Sequence, residues 1–183
     1  MKNILITPLD LQEDLPQIAG WDSKYKDDPK YKDIKDFIIE GSIHYSIAEV
    51  IDLNYEQYPI GNNERKYAFS IKDKENEVIG FVLCCLFNIQ EKPELFIQYI
   101  VLDPDNQNKG YGQQVLNELL TNSEAYMETQ PVEAVAYINN KNYHSMRLFL
   151  KMGFGLKNMN ADYFKAIKYM PKLNQEKEEN DKT

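Results

Sequence analysis

Gly110 and Gly112, with Gln107 and Lys109 just ahead of them, close a short polar loop. That loop follows the apolar run Ile97-Gln98-Tyr99-Ile100-Val101-Leu102, which stops at Asp103-Pro104. The glycines let the chain turn sharply and leave no side chain above their amides. A helix opens directly behind them, and the first N–H groups of a helix have no partner within it and carry a partial positive charge. Such a terminus suits a phosphate or pyrophosphate, to which Lys109 adds a direct charge. Two common phosphate loops are excluded. The Walker pattern needs Lys-Ser/Thr after its last glycine, and the dinucleotide fingerprint needs a third glycine where this chain has Val115.

A second segment narrows the reading. Asn142-Tyr143-His144-Ser145-Met146-Arg147-Leu148-Phe149 runs on to Gly153-Phe154 behind the strand-like Val132–Ile138. Together, Gln107-x-x-Gly110-x-Gly112 after a strand ending in Asp-Pro, and Asn142-x-x-Ser145-x-x-Leu148-Phe149 with Gly153-Phe154, resemble the two signatures of GNAT-family N-acetyltransferases, in the family's order. The resemblance implies acetyl-CoA as cosubstrate, lying in a V-shaped opening between the fourth and fifth strands. It implies that the backbone of Ile100, Val101 and Leu102 meets the pantetheine arm. Behind Gln107, the amides of Asn108, Lys109, Gly110, Tyr111, Gly112 and Gln113 would wrap the pyrophosphate. Asn142 would bond to the cofactor and Ser145 would lie close to it. An Asn at 142 is also a good helix N-cap, and the two roles are compatible.

The implied reaction is direct attack of an amine on the thioester carbonyl, with a backbone N–H near Val101 or Leu102 holding the oxyanion. Loss of one such donor costs ~10²–10³ in rate. This chain departs from the family where a tyrosine commonly protonates the leaving thiolate: it has Phe149, which cannot. Tyr137 and Tyr143 are the candidate acids in its place, and Glu94 and Glu133 the candidate bases. Deprotonation of the amine by bulk water, with catalysis by proximity alone, is the alternative. His144 reads as a surface helix residue.

The elements that must position these groups alternate between strand and helix. Strands are expected at Asn3–Pro8, Lys66–Ile71, Val78–Phe87, Glu94–Leu102, Val132–Ile138, Gly155–Lys157 and Tyr163–Tyr169, with the hairpin turn at Lys72–Asn76 the sharpest signal. Helices are expected at Leu11–Ile18 behind an Asp10 cap, Tyr31–Glu40, Ser42 or Ser46 to Leu53, Gly112–Tyr126 and Asn142–Met152. The fold class is therefore α/β, a mixed central sheet of about six to seven strands with helices on both faces. Residues 1–173 read as a single domain, and 174–183 as a disordered polar tail.

Composition sets the outer limits. The chain is 43% hydrophobic and 27% charged with a net charge of −8, which argues against nucleic acid and anionic membranes as partners, since both need basic surfaces. No apolar run is long enough to span a bilayer, and residues 1–3 do not begin a signal peptide. Cys84 and Cys85 are adjacent in a strand and face opposite ways, which makes them poor disulfide partners and suits a cytoplasmic protein. His44 and His144 have no metal-ligand spacing, so no metal is expected. Richness in Lys, Asn and Ile suggests a bacterial source.

Residues 1–55 hold eleven acidic side chains against six lysines, interleaved with Trp21, Tyr25, Tyr31 and Tyr45. Either this is a solvated acidic face or it forms a cleft for a cationic amine of the aminoglycoside or polyamine type, in which Asp22 and Asp28 would take part. A protein N-terminus or lysine is the other acceptor class, and a homodimer through a C-terminal strand is compatible. The competing reading from a different class is a catalytically silent acyl-CoA-binding sensor.

Overall fold

A computed structural model describes residues 4–18, 21, 24 and 64–170. The expected helices between Tyr31 and Leu53, the acidic and aromatic positions from Asp22 to Asp52, His44 and the tail 174–183 lie outside them. Among the described residues seven strands form one sheet: β1 (Leu5–Pro8), β2 (Glu64–Lys72), β3 (Val78–Phe87), β4 (Glu94–Leu102), β5 (Glu133–Asn139), β6 (Gly155–Asn158) and β7 (Tyr163–Tyr169). Their order is β1-β2-β3-β4-β5-β7-β6, antiparallel everywhere except between β4 and β5. That one parallel pair follows from its connection: α2 (Tyr111–Thr121) and α3 (Ser123–Met127) cross from the end of β4 back to the start of β5. A short α1 (Leu15–Ile18) precedes β2, and α4 (Tyr143–Lys151) lies between β5 and β6.

Both faces of the sheet are packed. On one face Val115, Leu116, Leu119 and Leu120 of α2 and Phe149 of α4 join Leu95, Ile97, Ala134 and Ala136 of the central strands. Each large apolar side chain among them contributes roughly 1.5–3 kcal/mol on burial, so packing rather than propensity holds a helix as short as α2. On the other face Ile18 and Trp21 cover Val78, Phe81, Leu83 and Val101. Cys84 and Cys85 are both buried and neither is in a disulfide, and burial pushes the Cys84 thiol up, which makes it inert.

Strand β4 is irregular in two ways. Its register against β3 jumps from Leu83↔Tyr99 to Cys84↔Ile97, leaving Gln98 as an extra residue in a bulge. The bulge inverts the alternation: Leu95 and Ile97 face the larger core before it, Ile100 and Leu102 after it. Against β5, β4 pairs at three positions only, Glu94↔Glu133, Leu95↔Ala134 and Phe96↔Val135. Beyond these the strands part, β4 held by β3 and β5 by β7 along its whole length.

Two expected helices are shorter than their patterns suggested. Of the expected Leu11–Ile18 only Leu15–Ile18 is helical, behind Asp10, whose Oδ1 accepts from the amides of Gln12 and Glu13. Pro16 has no N–H and fits only in a helix's first turn, so the helix begins just before it. The helix expected over Gly112–Tyr126 is broken at Asn122, between α2 and α3. There the side-chain amide of Asn122 and the Tyr126 hydroxyl both donate to Glu118 Oε1, at 2.8 and 2.9 Å. Burial and Glu118 together push the Tyr126 hydroxyl up to about 12.

Candidate active site

The loop from β4 to α2 is built by its own side chains. Asp103 donates its amide to Ile79 O at 2.9 Å and caps a 3-10 turn over Pro104–Asn106 through the Asp105 amide. Gln107 Nε2 donates back to Leu102 O at 3.3 Å, and Lys109 Nζ to Asn106 Oδ1 at 3.0 Å. Lys109 thus braces the loop it was expected to charge. Asn108 is left-handed at φ 59°, and Gly110, the N-cap of α2, at φ 84°. No side chain among the described residues caps α2. A Cβ built on Gly110 meets nothing of them within 4 Å, so they leave the space above this helix terminus open.

Gly112 is glycine for a different reason. A Cβ there would come within 3.2 Å of Leu148 Cδ2, so its absence lets α2 lie close against α4. Of the first-turn amides, Gln113 and Gln114 already donate to Gly110 O, each at 3.2 Å. Helix geometry leaves the amides of Tyr111 and Gly112 pointing outward. At the start of α4, Asn142 Oδ1 accepts the Ser145 amide at 3.0 Å, as a helix cap does, while its Nδ2 is a separate donor. Phe149 stacks edge-on with Phe154 at 4.9 Å, both within the larger core.

A pyrophosphate-bearing cosubstrate fits these residues. An uncapped, outward-facing helix terminus lies under open space, beside two strands that have parted. Ile100, Val101 and Leu102 form the last stretch of β4, past the parting and next to the loop.

Two of the four candidate acid–base residues meet at the paired end of the same two strands. Glu94 and Glu133 are direct partners across the parallel ladder. Burial, and then a hydrogen bond shared with Glu133, push the Glu94 carboxyl above the usual range, with Lys165 pulling the other way. A cavity of about 530 Å³ opens here, lined among others by Asn88, Lys92, Glu94, Glu133 and Tyr169. The larger core takes Leu95 and Ile97 of β4 and Ala134, Ala136 and Ile138 of β5. Glu94, Phe96, Glu133 and Tyr137 are therefore on the opposite face. Tyr137 is 48% exposed and its ring centroid lies 5.3 Å from that of Phe96, which lies 6.1 Å from Phe87. Tyr143 is 66% exposed in the first turn of α4, and His144 is exposed on the same helix.

The structure thus groups Glu94 and Glu133, sets Tyr137 beside the parting strands, and places Tyr143 apart from the carboxylates, on the helix that follows β5. Phe96 and Phe87 were not among the residues expected from sequence, although alternation on β4 puts Phe96 on the Glu94 face. Among the described residues no group of side chains could hold a metal ion.

No curated protein matches the chain. Solved structures do, over nearly its whole length. Spermidine N-acetyltransferase from Vibrio cholerae, in complex with CoA and spermine, is 18% identical with a TM-score of 0.62, covering 93% of this chain and 97% of that one. PaiA N-acetyltransferase from Thermoplasma acidophilum, in complex with coenzyme A, is 18% identical with a TM-score of 0.61, covering 91% and 98%. An acetyltransferase from Thermus thermophilus is 16% identical with a TM-score of 0.64, covering 92% and 97%. At such identities the likeness is one of fold. The sequence model of the acetyltransferase (GNAT) family matches residues 31–154, more than half of the chain. The chain belongs to the acetyltransferase (GNAT) family, as an N-acetyltransferase that uses acetyl-CoA.

Proposed function

We propose that the acceptor is a small primary amine carrying positive charge, held at the paired end of β4 and β5 while the cosubstrate enters from the open end. The observation that carries this reading is the parting of the two strands between an uncapped helix terminus and a carboxylate pair. The open end attracts phosphate; the paired end attracts an ammonium. The thioester supplied by acetyl-CoA would then lie near the parting, within reach of an amine entering from the carboxylate side.

On this reading each residue has one task. The amides of Asn108, Lys109, Gly110, Tyr111 and Gly112 face the pyrophosphate, with the Gln113 amide completing the turn. Asn142 Nδ2 and Ser145 border the pantetheine. An alkylammonium with a pKa near ~10.4 is almost wholly protonated at neutral pH, and a base must take its proton before it attacks. Glu94 is placed for that, since a carboxyl raised toward neutrality is a better base than a free one. Glu133 shares its proton and holds its pKa up. Tyr137, exposed beside the parting, is the acid for the leaving thiolate, with Tyr143 the alternative. Phe87, Phe96 and Tyr137 make an aromatic wall on which a cation and its alkyl chain can rest. Spermine is present in the structure of the Vibrio cholerae relative, which supports a polyamine among the acceptors to try first.

Thiol release from acetyl-CoA against polyamines, aminoglycosides, amino acids and peptides tests the reading. Turnover confined to the polycationic amines is the expected result. Cofactor binding without turnover on any amine would favour a silent acyl-CoA-binding protein. The pH profile tests the base. With Glu94 raised, kcat/KM falls on the acid side at a pH above that of a free glutamate. Glu133→Gln removes both the shared proton and the neighbouring charge, so the Glu94 pKa drops and the acidic limb moves to lower pH. An unmoved limb would remove Glu94 from the mechanism.

A further inference from the structure

Lys24 joins two parts of the molecule that are 79 residues apart in sequence. Its ammonium donates to both carboxylate oxygens of Asp103, at 2.9 and 3.1 Å, and to Asp105 Oδ2 at 2.6 Å. Asp103 is the residue that ends β4, caps the turn behind it through the Asp105 amide, and has a side chain only 12% exposed. Trp21, three residues before Lys24 and also helical, is buried and stacked on Phe81 at 6.4 Å. Trp21 is thus seated in the smaller core while Lys24 reaches the loop.

The charge pattern of that loop is wrong for its task without Lys24. A turn that leads into a phosphate-binding helix terminus carries two carboxylates, at positions 103 and 105, where anions should be avoided. Lys109 bonds to the neutral Asn106, whereas Lys24 is in direct contact with both carboxylates. We propose that Lys24 is a positioning residue of the cofactor site. By bridging Asp103 and Asp105 it offsets their charge toward the incoming pyrophosphate and fixes the turn that aims the α2 terminus. The proposal rests on the assignment of this loop to the pyrophosphate.

Calorimetric titration with CoA, at about 50 mM and about 500 mM salt, separates this role from that of a fold staple. Lys24→Met should weaken CoA binding by about threefold to tenfold at low salt and by clearly less at high salt, since the charge of the exposed Asp105 carboxylate is screened. Lys24→Arg should bind like the wild type. Asp105→Asn in the Lys24→Met background should recover most of the loss, a result that a purely structural staple would not give. Unchanged affinity in Lys24→Met overturns the proposal. So does a loss that is equal at both salt concentrations and not recovered by Asp105→Asn. Wild-type protein that fails to bind CoA overturns the loop assignment itself, and the role of Lys24 with it.

Discussion

Two helices of this fold finish their first turns in opposite ways. At α4 the side chain of Asn142 folds over the terminus and accepts the Ser145 amide, so the helix closes itself. At α2 the cap is Gly110, left-handed and without a side chain, and none of the described residues covers the turn from above. A side-chain cap gains a helix only about a few tenths of a kcal/mol over a glycine at the same position. Helix α2 forgoes it and is held by Val115, Leu116, Leu119 and Leu120 instead. An uncapped terminus that the fold can stabilise elsewhere is a terminus left for a ligand. On the proposed reading that ligand is the pyrophosphate of acetyl-CoA, the cosubstrate of the family.

The strongest way to break this contrast is to give α2 a cap of its own. Gly110→Glu puts an acidic side chain over the open amides, at a φ that only glycine adopts freely. CoA binding should fall by at least about a hundredfold, since a carboxylate competes with the pyrophosphate for the same donors. Thermal stability should drop by no more than about 1–2 kcal/mol from the left-handed strain. A variant that unfolds is distinguished from one that merely cannot bind by circular dichroism on the same sample. Retained CoA affinity in folded protein would move the pyrophosphate away from this terminus.

The second glycine sharpens the contrast, because its role is packing. Gly112→Val forces methyl groups into Leu148, already 3.2 Å from a bare Cβ position. Overpacking of this kind costs about 1–3 kcal/mol. Denaturant titration should register that loss, with a smaller effect on CoA affinity than Gly110→Glu. The reverse ranking would make Gly112 the ligand-facing glycine.

Much of this layout was legible from local pattern. The strand ends on β3, β4 and β7 were read to the residue, because runs such as Val78–Phe87 stop at unambiguous turn chemistry. The two glycines were legible as a pair, but their division of labour was not. That Gly110 faces open space and Gly112 faces Leu148 depends on where α4 packs, a contact between residues far apart in sequence. The break at Asn122 was hidden for a related reason. The apolar periodicity continues through it, and what ends the helix is a polar side chain bonding to Glu118, which periodicity does not register. The carboxylate pair was legible as two candidates and not as a pair. Only the three-position register of β4 on β5 sets Glu94 against Glu133. The clamp of Lys24 on Asp103 left no local trace at all.

The smallest effect is expected at the self-capped helix, and it decides whether the two termini differ in kind or only in degree. Asn142→Ala removes the bond to the Ser145 amide and should cost about 1 kcal/mol of stability. It also removes Nδ2, so on the proposed role CoA affinity should fall, by about fivefold as expected of one lost hydrogen bond. Asn142→Asp separates the two, because an aspartate caps a helix as well as an asparagine but has no N–H to donate. Stability should return to the wild-type value while the loss of CoA affinity persists or deepens through the added negative charge. If Asn142→Asp binds CoA as tightly as the wild type, Asn142 serves its own helix alone. Ligand recognition then belongs entirely to the terminus that the protein leaves uncapped.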